Sequence, residues 1–441
     1  MVILNHKIMN KLYLVLVSML LITTSCEDLD QVPPNIASAN SLDSYEGILN
    51  AAYFYQHASA TPMAVMGDFR ADNAFMFEAP YDDFDKFDAN LTSMDDQFFG
   101  PFYAGLYKSI LSANNVIENS EDATEVAEAK FLRGLSYFKL VRAFGDATIN
   151  TSASPDASDN SILKRSPASE VYSSVIIPDL EAAMAGLGEA VNGRASKMAA
   201  QGMLGKAYAQ MGDYGNAATN LAAVVNGADA AGISLQENFA DIFGVDNDLN
   251  SEIIYATQIS SSISDEYGFS EFWSWSGGLD TKSLEPLDSD LVAAFDASGE
   301  DDLRRAITID TATMASPKFP QTGGPDHDWI ELRLADVILL YAEALNENGD
   351  TAGALTELNK IRTRAGLGDS AASGQADVRQ AILDERRLEL AFEGHRWFDL
   401  VRTGTVDAEM GESIDPNYHL FPIPVSEILS SFGVIEQNAG Y

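Results

Sequence analysis

Two stretches of the chain share one pattern, and that pattern restricts the fold more than any other feature. AYAQMGDYGNAATNLAAVV (207–225) and AEALNENGDTAGALTELNKI (342–361) each read as a helix, a Gly-Asp turn and a second helix. Gly-Asp supplies the turn chemistry, and the alanines let the two helices approach closely. A chain built on such units has to bury the apolar stripes of paired helices against one another.

Other stripes at helical spacing extend the reading. Phe131, Leu135 and Phe138 lie on one face of a segment that ends at Gly145-Asp146. Ala200, Met203, Leu204, Ala207, Tyr208 and Met211 form a second, Ile330, Leu334, Val337, Ile338, Tyr341, Ala344 and Leu345 a third, which Trp329 opens, and Ala381, Leu388, Ala391 and Phe392 mark a fourth. The two helix–turn–helix units resemble tetratricopeptide pairs, but they lie too far apart for a ~34-residue array. The expected fold is therefore all-α, a scaffold of dispersed tetratricopeptide-like pairs with long loop-rich insertions. Scaffold helices are expected at about 107–146, 165–226 and 329–404, inserts at about 53–106 and 260–328, and a tail at 405–441. The first insert is crowded with aromatic and acidic residues, and the second carries EYGFSEFWSWSGG, with two of the four tryptophans.

The N-terminus predicts export. Lys7 and Lys11 precede the apolar run Leu12–Ile22, and Thr23-Thr24-Ser25 leads to Cys26. The run falls well short of the roughly 20 residues that span a bilayer, so residues 1–25 read as a signal peptide and 26–441 as a single domain. Cys26 is the sole cysteine, which excludes an intrachain disulfide. Its setting resembles a lipobox, with Cys26 lipidated as the new N-terminus and a membrane-bound anchor provided by its acyl chains. Glu27, Asp28 and Asp30 look like the surface-export signal of Bacteroidetes lipoproteins. A net charge of −39 repels nucleic acid and disfavours polyanionic glycans, and 46% hydrophobic residues suffice for a large core.

The ordered segments LRLADVILLYAEALNE (332–347), LNKIRTRAGL (358–367), ILDERRLELAFEGHRWFDLVRTG (382–404) and HLFPIPVSEI (419–428) resemble the SusD/RagB family of outer-membrane nutrient-binding lipoproteins. AKFLRGLSYFKLVRAFGD (129–146), RSPASEVYSSVIIPDLEAAM (165–184) and DNDLNSEIIYA (246–256) fit the same pattern. The resemblance implies a non-catalytic, cofactor-free protein at the cell surface. It would capture oligo- or polysaccharide and deliver it to a SusC-like TonB-dependent transporter. A peptide-capturing lid of the same kind of transporter, or a tetratricopeptide assembly lipoprotein, are the alternatives.

The residues bear on the chemistry separately. Asp384, Glu385, Arg386, Arg387, Glu389, Glu393, His395, Arg396 and Asp399 alternate acids with arginines at helical spacing, which predicts a structural ion-pair network rather than a hydrolytic acid pair. Trp397 and Phe398, inside that motif, read as core. DNDLNSE opens like a calcium loop but has Ser251 where glycine belongs and Thr257 where glutamate belongs, so no metal is expected there. A sugar site needs aromatic platforms beside polar hydrogen-bonding groups. Asp68, Arg70, Asp72, Asn73 and Tyr81 in the first insert, and Tyr267, Phe272, Trp273 and Trp275 in the second, supply both. Alternation in Trp273-Ser274-Trp275 would turn both indoles to one side of an extended segment. The resemblance implies that glycan is gripped between these two inserts.

Overall fold

A computed structural model describes residues 44–441 except 77, 157–158, 190–192, 261–268, 275–285 and 321–325. The expectations for segment 1–25, Cys26, Tyr267 and Trp275 fall outside the described residues, as does the side chain of Phe272. Residues Tyr45–Tyr441 form one compact unit.

Helices dominate. Among the described residues, the α-helices of six or more residues are α1 Glu46–Phe54, α2 Ala60–Asp68, α3 Gly100–Asn119, α4 Ala123–Phe144, α5 Ile177–Gly186, α6 Lys197–Gln210, α7 Tyr214–Gly227, α8 Phe269–Ser274, α9 Ser289–Ser298, α10 Leu334–Glu347, α11 Thr351–Arg364, α12 Gln375–Glu389, α13 Arg396–Thr403 and α14 Val425–Ser430. The fold is all-α, with tetratricopeptide-like pairs α6–α7 and α10–α11 that pack as antiparallel hairpins. Their turns are built alike. Gly212 and Gly349 take left-handed backbone conformations at φ +73° and +90°. Asp213 and Asp350 then cap the next helices by accepting from the backbone N–H of Asn216 and Gly353. Although distant in sequence, the two hairpins lie side by side, α7 against α10, and Asn348 donates to the Tyr214 carbonyl across the seam. The close crossings need missing side chains: a Cβ on Gly205 would sit 2.5 Å from Leu221.

Two short antiparallel ribbons complete the fold. β1 (Ala147–Thr148) pairs with β2 (Arg165–Ser166), and β3 (Ile253–Thr257) with β4 (Trp329–Arg333). The second ribbon corrects the expectation that a helix opens at Trp329. The β-branched run of β3 offers a pairing edge, so 329–333 is extended and helix α10 begins only at Leu334. The first insert is likewise less loop-rich than expected, since α2 runs through it.

Beneath the C-terminal helices lies the predicted ladder, now a buried cluster. Arg333 holds Glu252 at 2.7 Å, Glu389 at 2.6 Å and Glu393 at 2.7 Å. Arg364 pairs with Glu252 and Glu389, Arg304 with Asp302, Glu385 and Glu389, and Lys318 with Glu393. Burial alone would raise the Glu389 carboxyl, but Arg364, Arg333 and Arg304 outweigh it and hold it well below the usual carboxylate range. Trp397 and Phe398 are core, as expected.

Candidate ligand-binding face

The first insert is organised by a backbone contact. A Cβ on Gly67, near the end of α2, would lie 2.3 Å from the backbone of Gly394, which itself adopts φ +73°. This approach lets Asp68 receive the backbone N–H groups of Phe392 (3.1 Å) and Gly394 (2.8 Å), and Asn73 adds a third donor at 2.9 Å. Burial pushes the Asp68 carboxyl up to about 6 against the pull of those donors. Asp72 meets Arg396 through two bonds of 2.7 Å and Arg387 at 3.2 Å, while Asn73 accepts from Arg387 at 3.0 Å. Arg70 donates to the carbonyls of Phe84 (2.7 Å) and Tyr418 (3.0 Å) and to the Tyr441 hydroxyl (3.3 Å).

These contacts correct the expected sugar contacts. Asp68, Arg70, Asp72 and Asn73 are all buried and together form an internal clamp between the first insert and the C-terminal segments. Polar groups sunk this deep have to satisfy one another. Tyr81 is also buried, edge-on to Phe98, with its hydroxyl accepting from Gln97 at 3.0 Å. Trp273 has no exposed surface. It is sandwiched between Phe69 (centroids 4.7 Å, planes within 5°) and Phe392 (4.6 Å). The alternation argument fails for it because 269–274 is helical, so its direction follows the helical period.

The two inserts do meet. Ala74 bridges to Leu287, the Phe75 N–H donates to the Pro286 carbonyl at 3.0 Å, and the Asp288 N–H donates to the Asn73 carbonyl at 3.3 Å. Around this seam the surface presents groups that the sequence left undistinguished from their neighbours. Phe75 is 38% exposed. Phe87 is half-buried, with its ring lying over Arg70 at 4.3 Å and its backbone held at φ +48°, a conformation rarely adopted without a glycine. Burial, then the charges of Asp288 and Glu412, pushes the Asp85 carboxyl up to about 6. Asp288 is raised too, first by burial. The seam thus offers half-exposed phenyl rings among carboxylates that accept hydrogen bonds from hydroxyls. Phe84 and Phe87, three residues apart in DDFDKFD, differ only in which one the fold leaves uncovered, so no residue type marks the exposed one.

Residues 306–419 match the model of the SusD family, and residues 25–209 match a family model described as starch-binding, associating with outer membrane. The chain belongs to the SusD/RagB family. A SusD-like protein P2 from Formosa agariphila is 28% identical over 98% of this chain and 100% of its own. The crystal structure of a SusD superfamily protein from Parabacteroides distasonis superposes with a TM-score of 0.76 at 22% identity, covering 91% of this chain and 100% of that one. A laminarin-binding SusD-like protein gives 0.73 at 24% identity, covering 90% and 99%. These likenesses extend the SusD fold over nearly the whole described chain. Among the described residues, no helix is long and apolar enough to cross a membrane.

Proposed function

We propose that this SusD-like chain is a cell-surface lipoprotein, anchored through Cys26, that captures neutral oligo- or polysaccharide and delivers it to a SusC-like TonB-dependent transporter. The observation that carries the reading is the seam at Ala74–Leu287, which has exposed Phe75 beside its bridge and Asp85, two residues from half-buried Phe87, within reach of the Asp288 charge. A pyranose has an apolar C–H face and a hydroxyl rim, and such a surface meets both. The acidic surface favours uncharged glycans over sulfated ones. The laminarin-binding neighbour and the starch-binding family description support the ligand class. Tyr267, Phe272 and Trp275 remain proposed as further contacts from the second insert.

The test is titration calorimetry of the purified chain against laminarin, levan, mannan and xylan oligosaccharides. Binding to one of them, weakened about tenfold by Phe75→Ala (about 1.4 kcal/mol) with an unchanged unfolding midpoint, is the expected result. Binding that survives Phe75→Ala, Phe87→Ala and Trp275→Ala together would remove the site from the seam. Absence of heat with every glycan would move the reading to peptide cargo.

A further inference from the structure

We propose that the chain carries a second saccharide subsite, in a cavity of about 400 Å³ between the 148–156 loop and helix α14. Its volume falls within the ~300–1,000 Å³ typical of small-molecule sites. It shares no lining residue with the seam at Ala74–Leu287.

ATINTSASPDASDNS reads as a plain polar surface loop, yet the fold pins it with buried groups. Asp179 grips Arg133 through two bonds of 2.7 and 2.8 Å, and Arg133 in turn donates to the Asn114 side-chain carbonyl at 2.7 Å. So oriented, the Asn114 amide donates to the carbonyls of Asn150 and Ser152, both at 3.1 Å. The Tyr137 hydroxyl accepts from the Asn150 N–H at 2.7 Å, and Glu118 accepts from the Ala153 N–H at 2.8 Å. A buried ion pair that exists to aim an asparagine at two loop carbonyls makes this segment a fixed wall. Binding to a preformed wall avoids the entropy of ordering it.

The cavity is two-sided. Tyr103 and Tyr107 (centroids 4.7 Å, 39° apart), with Ile149 and Ile435, give an apolar floor. Thr151 and Ser154 on the loop and Glu427 on α14 give polar groups above it. Among the described residues no lysine, arginine or histidine lines it, which disfavours anionic ligands. Glu427 and the hydroxyls are suited to accept from and donate to a sugar's hydroxyl rim, while the half-buried Tyr107 ring, backed by the buried Tyr103, meets its C–H face. The ligand class rests on the glycan-binding reading above; the cavity stands independently of it.

The test is isoleucine-methyl NMR of the full chain titrated with laminaritriose and maltotriose to tens of millimolar. The Ile149 and Ile435 methyls are assigned by substitution to valine. Saturable shifts at both methyls with at least one sugar are expected. Ile162→Trp, an exposed position at the cavity mouth, should abolish them and leave the Phe75-dependent calorimetric binding unchanged; Glu427→Gln should weaken them several-fold. Titrations in which methyls elsewhere respond but Ile149 and Ile435 do not would overturn the proposal, as would shifts indifferent to both variants. Shifts at Ile149 and Ile435 without Phe75-dependent binding would uphold this subsite and remove the one at the seam.

Discussion

Replacing Arg333 with methionine should be among the most damaging single changes to this protein. Arg333 is 1% exposed and serves three carboxylates, Glu252, Glu389 and Glu393, as well as the Glu389 carbonyl at 2.8 Å. None is abandoned altogether, because Arg364 still reaches Glu252 and Glu389, and Lys318 still reaches Glu393. The loss is therefore that of one partner from a buried pair, about 3–5 kcal/mol, rather than three times that. Protonation offers an escape. Without Arg333, Glu389 and Glu393 bind protons more readily in the folded state, so the deficit should be largest near neutrality and shrink as pH falls into the carboxylate range. Urea unfolding of both proteins across that range, with free energies extrapolated linearly, measures the difference. A deficit below about 1 kcal/mol, or one that does not vary with pH, would refute the account of the cluster as mutually dependent buried charges.

Three further outcomes follow from the packing. Trp273→Ala should lower stability by about 3–5 kcal/mol, because it empties the space between Phe69 and Phe392; a loss of glycan affinity with full stability would restore Trp273 as a contact residue. Gly67→Ala forces a methyl against the Gly394 backbone, and the chemical-denaturation midpoint should fall by the equivalent of about 1–3 kcal/mol. His395 is held down to about 3, first by burial and then by Lys206. Its folded value lies below its unfolded one, so its contribution is whole above about pH 6.5 and is lost as pH falls, with a slope of at most ~1.4 kcal/mol per pH unit. His395→Leu should flatten that part of the stability profile between about pH 6.5 and 5, and an unchanged slope would show that the imidazole titrates normally.

The scaffold was legible because its signals are local. A Gly-Asp pair followed by alanines specifies a turn, a cap and a close crossing within a few residues, and α6–α7 and α10–α11 follow it. The ladder was legible as a structural ion-pair network but not in its partners: Glu389 and Glu393 bind Arg333, Arg364, Arg304 and Lys318, Arg396 binds Asp72, and among the described ladder residues only Arg386 and Asp399 pair with each other. The ligand surface was not legible. Asp68, Arg70, Asp72 and Asn73 have the composition of a sugar site, but their partners, Phe392, Gly394, Arg396 and Tyr418, lie more than 300 residues away in the sequence, and only the fold shows that these side chains are already occupied. From the sequence alone Trp329 suits the start of a helix, because its apolar neighbours fit either period. The edge offered by β3, some seventy residues earlier, decided the matter.

The clamp on the first insert also sets an order on folding. Asp68, Arg70 and Asp72 lie at the end of α2 or just after it, yet every one of them depends on groups from residues 392–441. Until that distant stretch is available, the early part of the chain holds three ionisable groups that it cannot bury without a large penalty. Closing so long a loop comes late and slowly. The N-terminal half thus stays unfinished while the rest is being made, and a shortened product exposes that defect instead of settling into a stable half-protein.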